Sequence, residues 1–298
     1  MRRLWSWLAV GAAGALVVIA WLAAPQRLAD DAIAAPGSGN ATRGARIFAL
    51  GGCASCHAAA GAKGEARHAL GGGAALVTPF GSFRAPNISP DPRHGIGAWS
   101  LADFANAMQR GVSPDGRHYY PAFPYASYAR MTKGDVADLF SYLRTLPKVA
   151  APSATSGVAF PYSIRSGIGL WKRLFLTSAP AVTLPASASP PARAGQYLVE
   201  GPGHCGECHT PRTLGGLGRL DTSRWLAGAA DPEGRGKVPR LAGIGWSAEE
   251  IADYLETGFT PDYDAVGGSM ADVQRNMAQL PAGDRAAMAA YIKALPPQ

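Results

Sequence analysis

Two five-residue stretches decide the reading of this chain: Cys53-Ala54-Ser55-Cys56-His57 and Cys205-Gly206-Glu207-Cys208-His209. Together they use all 4 cysteines of the 298 residues. Outward from each stretch the same marks recur in the same order. Gly95-Ile96-Gly97 with Trp99 answers Gly243-Ile244-Gly245 with Trp246. Trp99 precedes Gly111 by the interval that separates Trp246 from Gly258. Those glycines lead to Ser113-Pro114-Asp115 and Thr260-Pro261-Asp262. Asp135, Tyr142 and Pro147 then match Asp284, Tyr291 and Pro296. A repeat with a period of about 150 residues is a domain duplication, not a solenoid.

The patterning between these marks is helical. Apolar residues at helical spacing predict helices over 42–50, 101–110 (capped by Ser100), 133–146 (capped by Thr132), 248–257 (capped by Ser247) and 282–294. No segment alternates over six residues, so no sheet is expected. The expectation is an all-α fold with tandem domains at 43–150 and 193–298. The linker, 151–192, is rich in proline and carries one apolar patch from Ile164 to Leu176. A single helix near 162–176 is expected there, packing across the two domains, with a membrane-surface role as the alternative.

The amino terminus is a membrane signal. Arg2 and Arg3 precede an uncharged stretch from Leu4 to Ala24 that ends at Pro25. Its length matches the roughly 20 residues of a bilayer-spanning helix. Trp5, Trp7 and Trp21 lie near its ends, and the arginines place the start of the chain on the cytoplasmic side. Residues 1–25 are read as a transmembrane anchor, with a signal peptide cleaved after Leu22-Ala23-Ala24 as the alternative. Residues 26–42 form a spacer.

Composition excludes several classes. With 47% hydrophobic and 16% charged residues the chain is too apolar for disorder. A net charge of +7 without a basic run or stripe argues against nucleic acid as a partner. Four cysteines in a chain of this length are too few for a disulfide scaffold.

Cys-x-x-Cys-His is the signature of covalent c-type haem attachment. Two thiols spaced by two residues on a helical turn add to the two vinyl groups of one haem, and the adjacent histidine ligates the iron. The expected cofactor is therefore two haems c, attached at Cys53 and Cys56 and at Cys205 and Cys208, with His57 and His209 as proximal ligands. A single zinc site built from all the cysteines would leave both histidines unexplained. A thioredoxin-like pair would need a βαβ context that is absent. The distal ligand is expected to be Met or His. Among Met108, His118 and Met131 the reading favours Met131, with His118 in a loop that could face solvent. Among Met270, Met277 and Met288 it favours Met270, in a loop after Gly267-Gly268-Ser269. His68, His94 and His204 are expected to be exposed or locally bonded. Trp99 and Trp246 are expected to pack the haem pockets. Arg84 and Asn87 are either haem-propionate partners or part of a surface loop.

Ala85-Pro86-Asn87-Ile88-Ser89-Pro90-Asp91, the run from Gly111 to Tyr125, the run from Tyr197 to Arg212, and Gly267-Gly268-Ser269-Met270 resemble the cytochrome c subunits of bacterial membrane-bound alcohol and sugar dehydrogenases. The resemblance covers about residues 43–298. It implies tandem cytochrome c domains after a transmembrane helix, held at the inner membrane and facing the periplasm. It also implies electron relay rather than catalysis. A dehydrogenase catalytic subunit would be the donor. Quinone, a soluble cytochrome or a terminal oxidase would be the acceptor. Two departures stand out: many members carry three haems, and the best-known members have Met where this chain has Phe123. A di-haem peroxidase is the rival reading.

Overall fold

The computed structural model describes residues 2–73, 75–231, 234 and 236–296; Met1, Ala74, Pro232, Glu233, Arg235, Pro297 and Gln298 lie outside them. A long helix, α1 (Arg2–Ala23), leads into the first repeat unit, made of α2 (Ala41–Leu50), α3 (Cys53–His57), the strands β1 (Ala75–Thr78) and β2 (Gly81–Arg84), α4 (Leu101–Arg110), α5 (Tyr125–Tyr128) and α6 (Lys133–Leu143). The connecting segment carries β3 (Gly157–Val158) and α7 (Gly167–Phe175). The second unit has α8 (Pro190–Glu200), α9 (Gly206–His209), β4 (Ala229–Ala230), β5 (Lys237–Val238), α10 (Ala248–Thr257), α11 (Met270–Met277) and α12 (Ala282–Ala294).

The expected helices form because their ends are written locally. Ser100 and Asp103 make a capping box at the start of α4, and Ser247 and Glu250 make the same box at α10. Both helices stop at a left-handed glycine, Gly111 and Gly258. Thr132 accepts from the Asp135 amide to cap α6. That helix ends three residues earlier than expected, because Thr145 and Leu146 close tighter turns onto Tyr142 and Leu143.

In each unit the first and last helices press together. A Cβ on Gly44 would lie 2.0 Å from the Asp138 carbonyl oxygen, and one on Gly195 would lie 1.8 Å from that of Ala287. Glycine is required at both crossings, so α2 meets α6 and α8 meets α12 backbone to backbone. Around the first crossing Ile47, Phe104, Leu139, Phe140 and Leu143 form one core, with Phe104 and Phe140 stacked at 5.0 Å. Around the second, Leu198, Val199, Trp225, Met288, Tyr291 and Ile292 form another. Each large apolar side chain buried this way contributes about 1.5–3 kcal/mol. Leu50, at the end of α2, joins the second core rather than the first, so the two units share a wall.

The expectation of no sheet is corrected. β1, β2 and β3 form a three-stranded antiparallel sheet, and β4 pairs with β5. Thr78 and Gly81 close the β1–β2 turn, where the Thr78 hydroxyl donates to the Gly81 carbonyl at 3.0 Å. Strands of two to four residues are too short to leave an alternating pattern in the sequence. The linker helix is present but shorter than expected, as α7.

Among the described residues one helix is long and apolar enough to cross a membrane, at Arg3–Ala23. Its last turn is bonded to the folded body. Arg173 donates to the Trp21 and Leu22 carbonyls, both at 2.7 Å, and its guanidinium lies 4.4 Å over the Trp21 ring. His118 Nε2 donates to the Ala23 carbonyl at 2.8 Å. The carbonyls that a helix end leaves without partners are thus satisfied by the folded body of the chain.

Candidate haem-binding sites

Each Cys-x-x-Cys-His stretch is a single helical turn on the wall of its own core. Ala54 and Gly206, the first intervening residues, are buried inward. Cys53 packs against the first core and Cys205 against the second.

The two histidines are held identically. His57 Nδ1 lies 2.8 Å from the Pro86 carbonyl, and His209 Nδ1 lies 2.8 Å from that of Pro239. A ring nitrogen facing a carbonyl must carry the proton. Nε2 then keeps its lone pair for a metal. The backbone is pinned as well: the His57 carbonyl accepts from Gly72 N at 2.9 Å, and the His209 carbonyl from Gly228 N at 2.8 Å. Burial lowers the pKa of both rings and keeps them neutral, the form that ligates iron. The carbonyls of Pro86 and Pro239 were given no role by the sequence reading. Their signal was present, because each proline follows its histidine by 29 or 30 residues.

The four thiols are free. Burial, with the neighbouring cysteine of each motif, pushes Cys53 and Cys205 up to about 12. A reactive redox pair is favoured by a depressed value, the opposite of what burial does here. Among the described residues no group of three or more His, Cys, Asp or Glu side chains is placed to hold a metal ion. Paired thiols beside a neutral imidazole with one nitrogen oriented and the other available are the donor set that haem c requires, and the residues fit it.

Met131 lies in the turn between α5 and α6, 4% exposed, in the core that also holds Ala54. Gln109 donates to its carbonyl at 2.8 Å and fixes that turn. Met270 was expected in a loop; it is instead the first residue of α11, partly buried against the core that Cys205 also packs on. The run Met270–Met277 has good helix formers and Asp272 in the first turn, which extends helix up to the glycine pair. Met108 packs in the first core, and Met277 and Met288 in the second.

His118 is buried rather than facing solvent. With Nε2 donating to Ala23, its Nδ1 accepts from Lys172 Nζ at 3.1 Å. Both ring nitrogens are committed, which withdraws His118 from the distal candidates. His68 meets Glu65, and His94 is exposed. Trp99 and Trp246 are partly buried, each against its own core. Asn87 is neither free for a propionate nor on a surface loop. It is 3% exposed, and its amide donates to the Val149 and Ala151 carbonyls at 2.7 and 2.9 Å. Its work is to fix the loop that presents Pro86 to His57.

The second intervening residue of each motif reaches into the opposite unit. Ser55 Oγ accepts from Asn276 Nδ2 at 2.8 Å, and Glu207 Oε1 accepts from Ser127 Oγ at 2.7 Å. Arg67 adds a bond to Asn276 at 2.9 Å, and Arg46 grips Asp284 with two. His204, expected to be local, lies on the same seam. Its Nε2 donates to the Gly51 carbonyl at 3.3 Å, and its ring meets Tyr128 edge-on at 5.6 Å. The residue before the first cysteine is left-handed in both motifs: Gly52 at φ 59° and His204 at φ 40°. A non-glycine there costs about 1–2 kcal/mol, which the seam contacts offset.

Comparison with known proteins agrees with this arrangement. Residues 41–147 match the family model described as cytochrome c, and residues 190–292 match that of cytochrome c oxidase, cbb3-type, subunit III. A di-haem cytochrome c-type protein of Cereibacter sphaeroides is 52% identical over 95% of this chain and 96% of its own length. The cytochrome c subunit of a quinone-type alcohol dehydrogenase from Gluconobacter oxydans is 33% identical, over 99% of this chain and 61% of that protein. The fructose dehydrogenase cytochrome subunit of Gluconobacter japonicus is 33% identical, over 86% of this chain and 52% of that protein. The chain thus spans only part of the length of these dehydrogenase subunits. None of these relatives carries a peroxidase name, and the peroxidase reading gains no support. The chain belongs to the di-haem cytochromes c related to the cytochrome c subunits of alcohol and sugar dehydrogenases, and it is an electron-transfer protein rather than a catalytic subunit.

Proposed function

We propose that this protein relays single electrons from a dehydrogenase catalytic subunit to quinone, a soluble cytochrome or a terminal oxidase, on the periplasmic face of the cytoplasmic membrane. The observation that carries the reading is the matched pair of contacts His57 Nδ1 to Pro86 O and His209 Nδ1 to Pro239 O. Haem c, when bound, supplies an iron that changes oxidation state by one electron. The work of the chain is to hold, orient and bury two such groups. Cys53 and Cys56, and Cys205 and Cys208, form the thioether links in domains at 43–150 and 193–298. His57 and His209 ligate through Nε2. Met131 and Met270 supply the distal sulfurs. Met131 is supported by its burial in the core that lines α3 and by the commitment of His118 elsewhere. Met270 is supported by its place at the edge of the second core rather than inside it.

The seam through Ser55, Asn276, Ser127 and Glu207 fixes the two sites at one separation, as a relay requires. Membrane placement is supported by the last turn of α1: its carbonyls are capped by Arg173 and His118, so the folded body is built to keep that helix.

An optical redox titration of the detergent-solubilised chain tests this reading. Two low-spin, six-coordinate centres that titrate in one-electron steps and bind no carbon monoxide when reduced are expected. Carbon monoxide binding at either iron, or turnover of peroxide, contradicts it.

A further inference from the structure

Around the exit of α1 the protein carries an apolar surface that neither core uses. Phe160, Ile164, Leu170, Leu174, Leu214 and Leu217 are between 44% and 81% exposed. They come from the linker and from a loop of the second unit, segments that are bonded to one another. Trp171 Nε1 donates to the Leu217 carbonyl at 2.7 Å, tying that loop to α7. Ala159 N donates to the Phe80 carbonyl at 3.1 Å, and the Phe80 ring meets Tyr162 edge-on at 5.0 Å, tying the β1–β2 turn to the same segment. An exposed apolar surface continuous over several segments marks a contact with a membrane or a partner.

Continuity with α1 decides between these. A Cβ on Gly169 would lie 2.3 Å from the Ala23 carbonyl oxygen, so α7 crosses the last turn of α1 in backbone contact. Gly169 and Arg173 form the face that meets α1. Leu170 and Leu174 are the next residues round the helix from each, and they point to solvent beside it. Ile168 and Lys172 are buried on the inner side. A bilayer that surrounds α1 up to Trp21 therefore ends within one helical turn of Leu170 and Leu174. Trp21 is a side chain that favours a headgroup boundary, and the Arg173 guanidinium lies 4.4 Å over its ring.

We propose that this patch is seated in the headgroup region of the bilayer that α1 crosses. The protein then meets the membrane through two elements, and the haem pair is held at a fixed tilt and height instead of swinging on a tether. The proposal rests on the reading of α1 as a membrane anchor.

The test uses the full haem-loaded chain in vesicles of phosphatidylethanolamine and phosphatidylglycerol, without a dehydrogenase. The native cysteines are consumed by haem, so Leu174→Cys gives a unique site for a nitroxide label. Ile19→Cys in α1 and Tyr263→Cys, at a site 88% exposed in the second unit, serve as references. Collisions with oxygen report lipid, and collisions with a water-soluble nickel chelate report water. The expected result is a label at 174 shifted towards oxygen, like that at 19, while 263 stays with nickel. Phe160→Cys repeats the test should the first variant fold poorly. A water-like label at 174 with a lipid-like label at 19 overturns the proposal and leaves the anchor standing. A label at 174 shielded from both reagents points to a covering protein surface and also overturns it. Water-like labels at both 174 and 19 remove the anchor and the proposal together.

Discussion

Ser55 and Asn276 lie in opposite halves of the chain and share a hydrogen bond of 2.8 Å. Ser55 occupies the second variable position of its Cys-x-x-Cys-His motif, and Glu207 occupies the same position in the other. Each is spent on the opposite unit, the second through Ser127. The residue types that the haem chemistry leaves unspecified are therefore the ones that lock the two sites together.

A double-mutant cycle measures that lock. Ser55→Ala and Asn276→Ala each remove one partner of the same bond. The coupling between them is expected at about 1 kcal/mol in denaturant unfolding of the holo chain. Additive single effects would mean that the contact is incidental.

His204 is held in a left-handed conformation that glycine adopts without cost. Replacement by alanine removes the bond to Gly51 and keeps the strain; replacement by glycine removes the bond and relieves the strain. His204→Gly is expected to be more stable than His204→Ala by about 1 kcal/mol, read from thermal melts. Equal melts, or the reverse order, would show that the backbone at this position is not constrained as described.

Lys172 is buried beside His118, with its amine 4.9 Å from the centre of the Tyr125 ring. Burial pushes it down to about 7 from an ordinary 10.5. Burial, with Lys172 and Arg165 nearby, also lowers His118. Both groups bind fewer protons in the folded chain than in the unfolded one, so stability rises with pH across the range between their folded and unfolded values. For Lys172 the gain builds from about 7 towards 10.5. Lys172→Met should flatten that rise and stabilise the chain at about pH 6, where the charged amine is most costly. The Gly111 carbonyl keeps its bond from Tyr119 N at 2.7 Å, whereas His118 Nδ1 loses its donor, which offsets part of the gain. Melting temperatures across pH give the profile; a slope retained in the variant would contradict this account.

The distal ligands separate by spectroscopy. Met131→Ala and Met270→Ala should each remove one of two sulfur-to-iron charge-transfer bands. His118→Gln and Met277→Ala should leave both bands and change stability alone. Loss of a band in Met277→Ala, with Met270→Ala intact, would transfer the second assignment to Met277.

The features legible in the sequence were local ones. Ser100, Ser247, Gly111 and Gly258 mark helix ends with their own side chains or conformations, and the helices over 101–110 and 248–257 were read to the residue. α8 was not among the expected helices, and the boundary at 193 cuts it, because Pro190 and Pro191 count with the proline-rich linker. Next to the Ser189 cap they sit in the first turn, where proline is tolerated. The seam was illegible for a different reason. Ser55 and Asn276 are 221 residues apart, and nothing around either names the other. His118 and Asn87 looked like loop residues because the chain that buries them, from α1, α7 and the segment after α6, is remote in sequence. The proposed proximal ligands stand out in the sequence because attachment chemistry fixes their spacing, whereas a distal methionine is constrained only by where the fold delivers it.

Covalent attachment at Cys53 and Cys56 and at Cys205 and Cys208 underlies every role assigned above. Intact-mass spectrometry of the mature chain, from a host that assembles c-type cytochromes, tests this directly. The predicted result is polypeptide plus two haem masses, no free thiol, and haem-bearing peptides that contain residues 53–57 and 205–209. A bare polypeptide with alkylatable cysteines, or one haem in place of two, would contradict it.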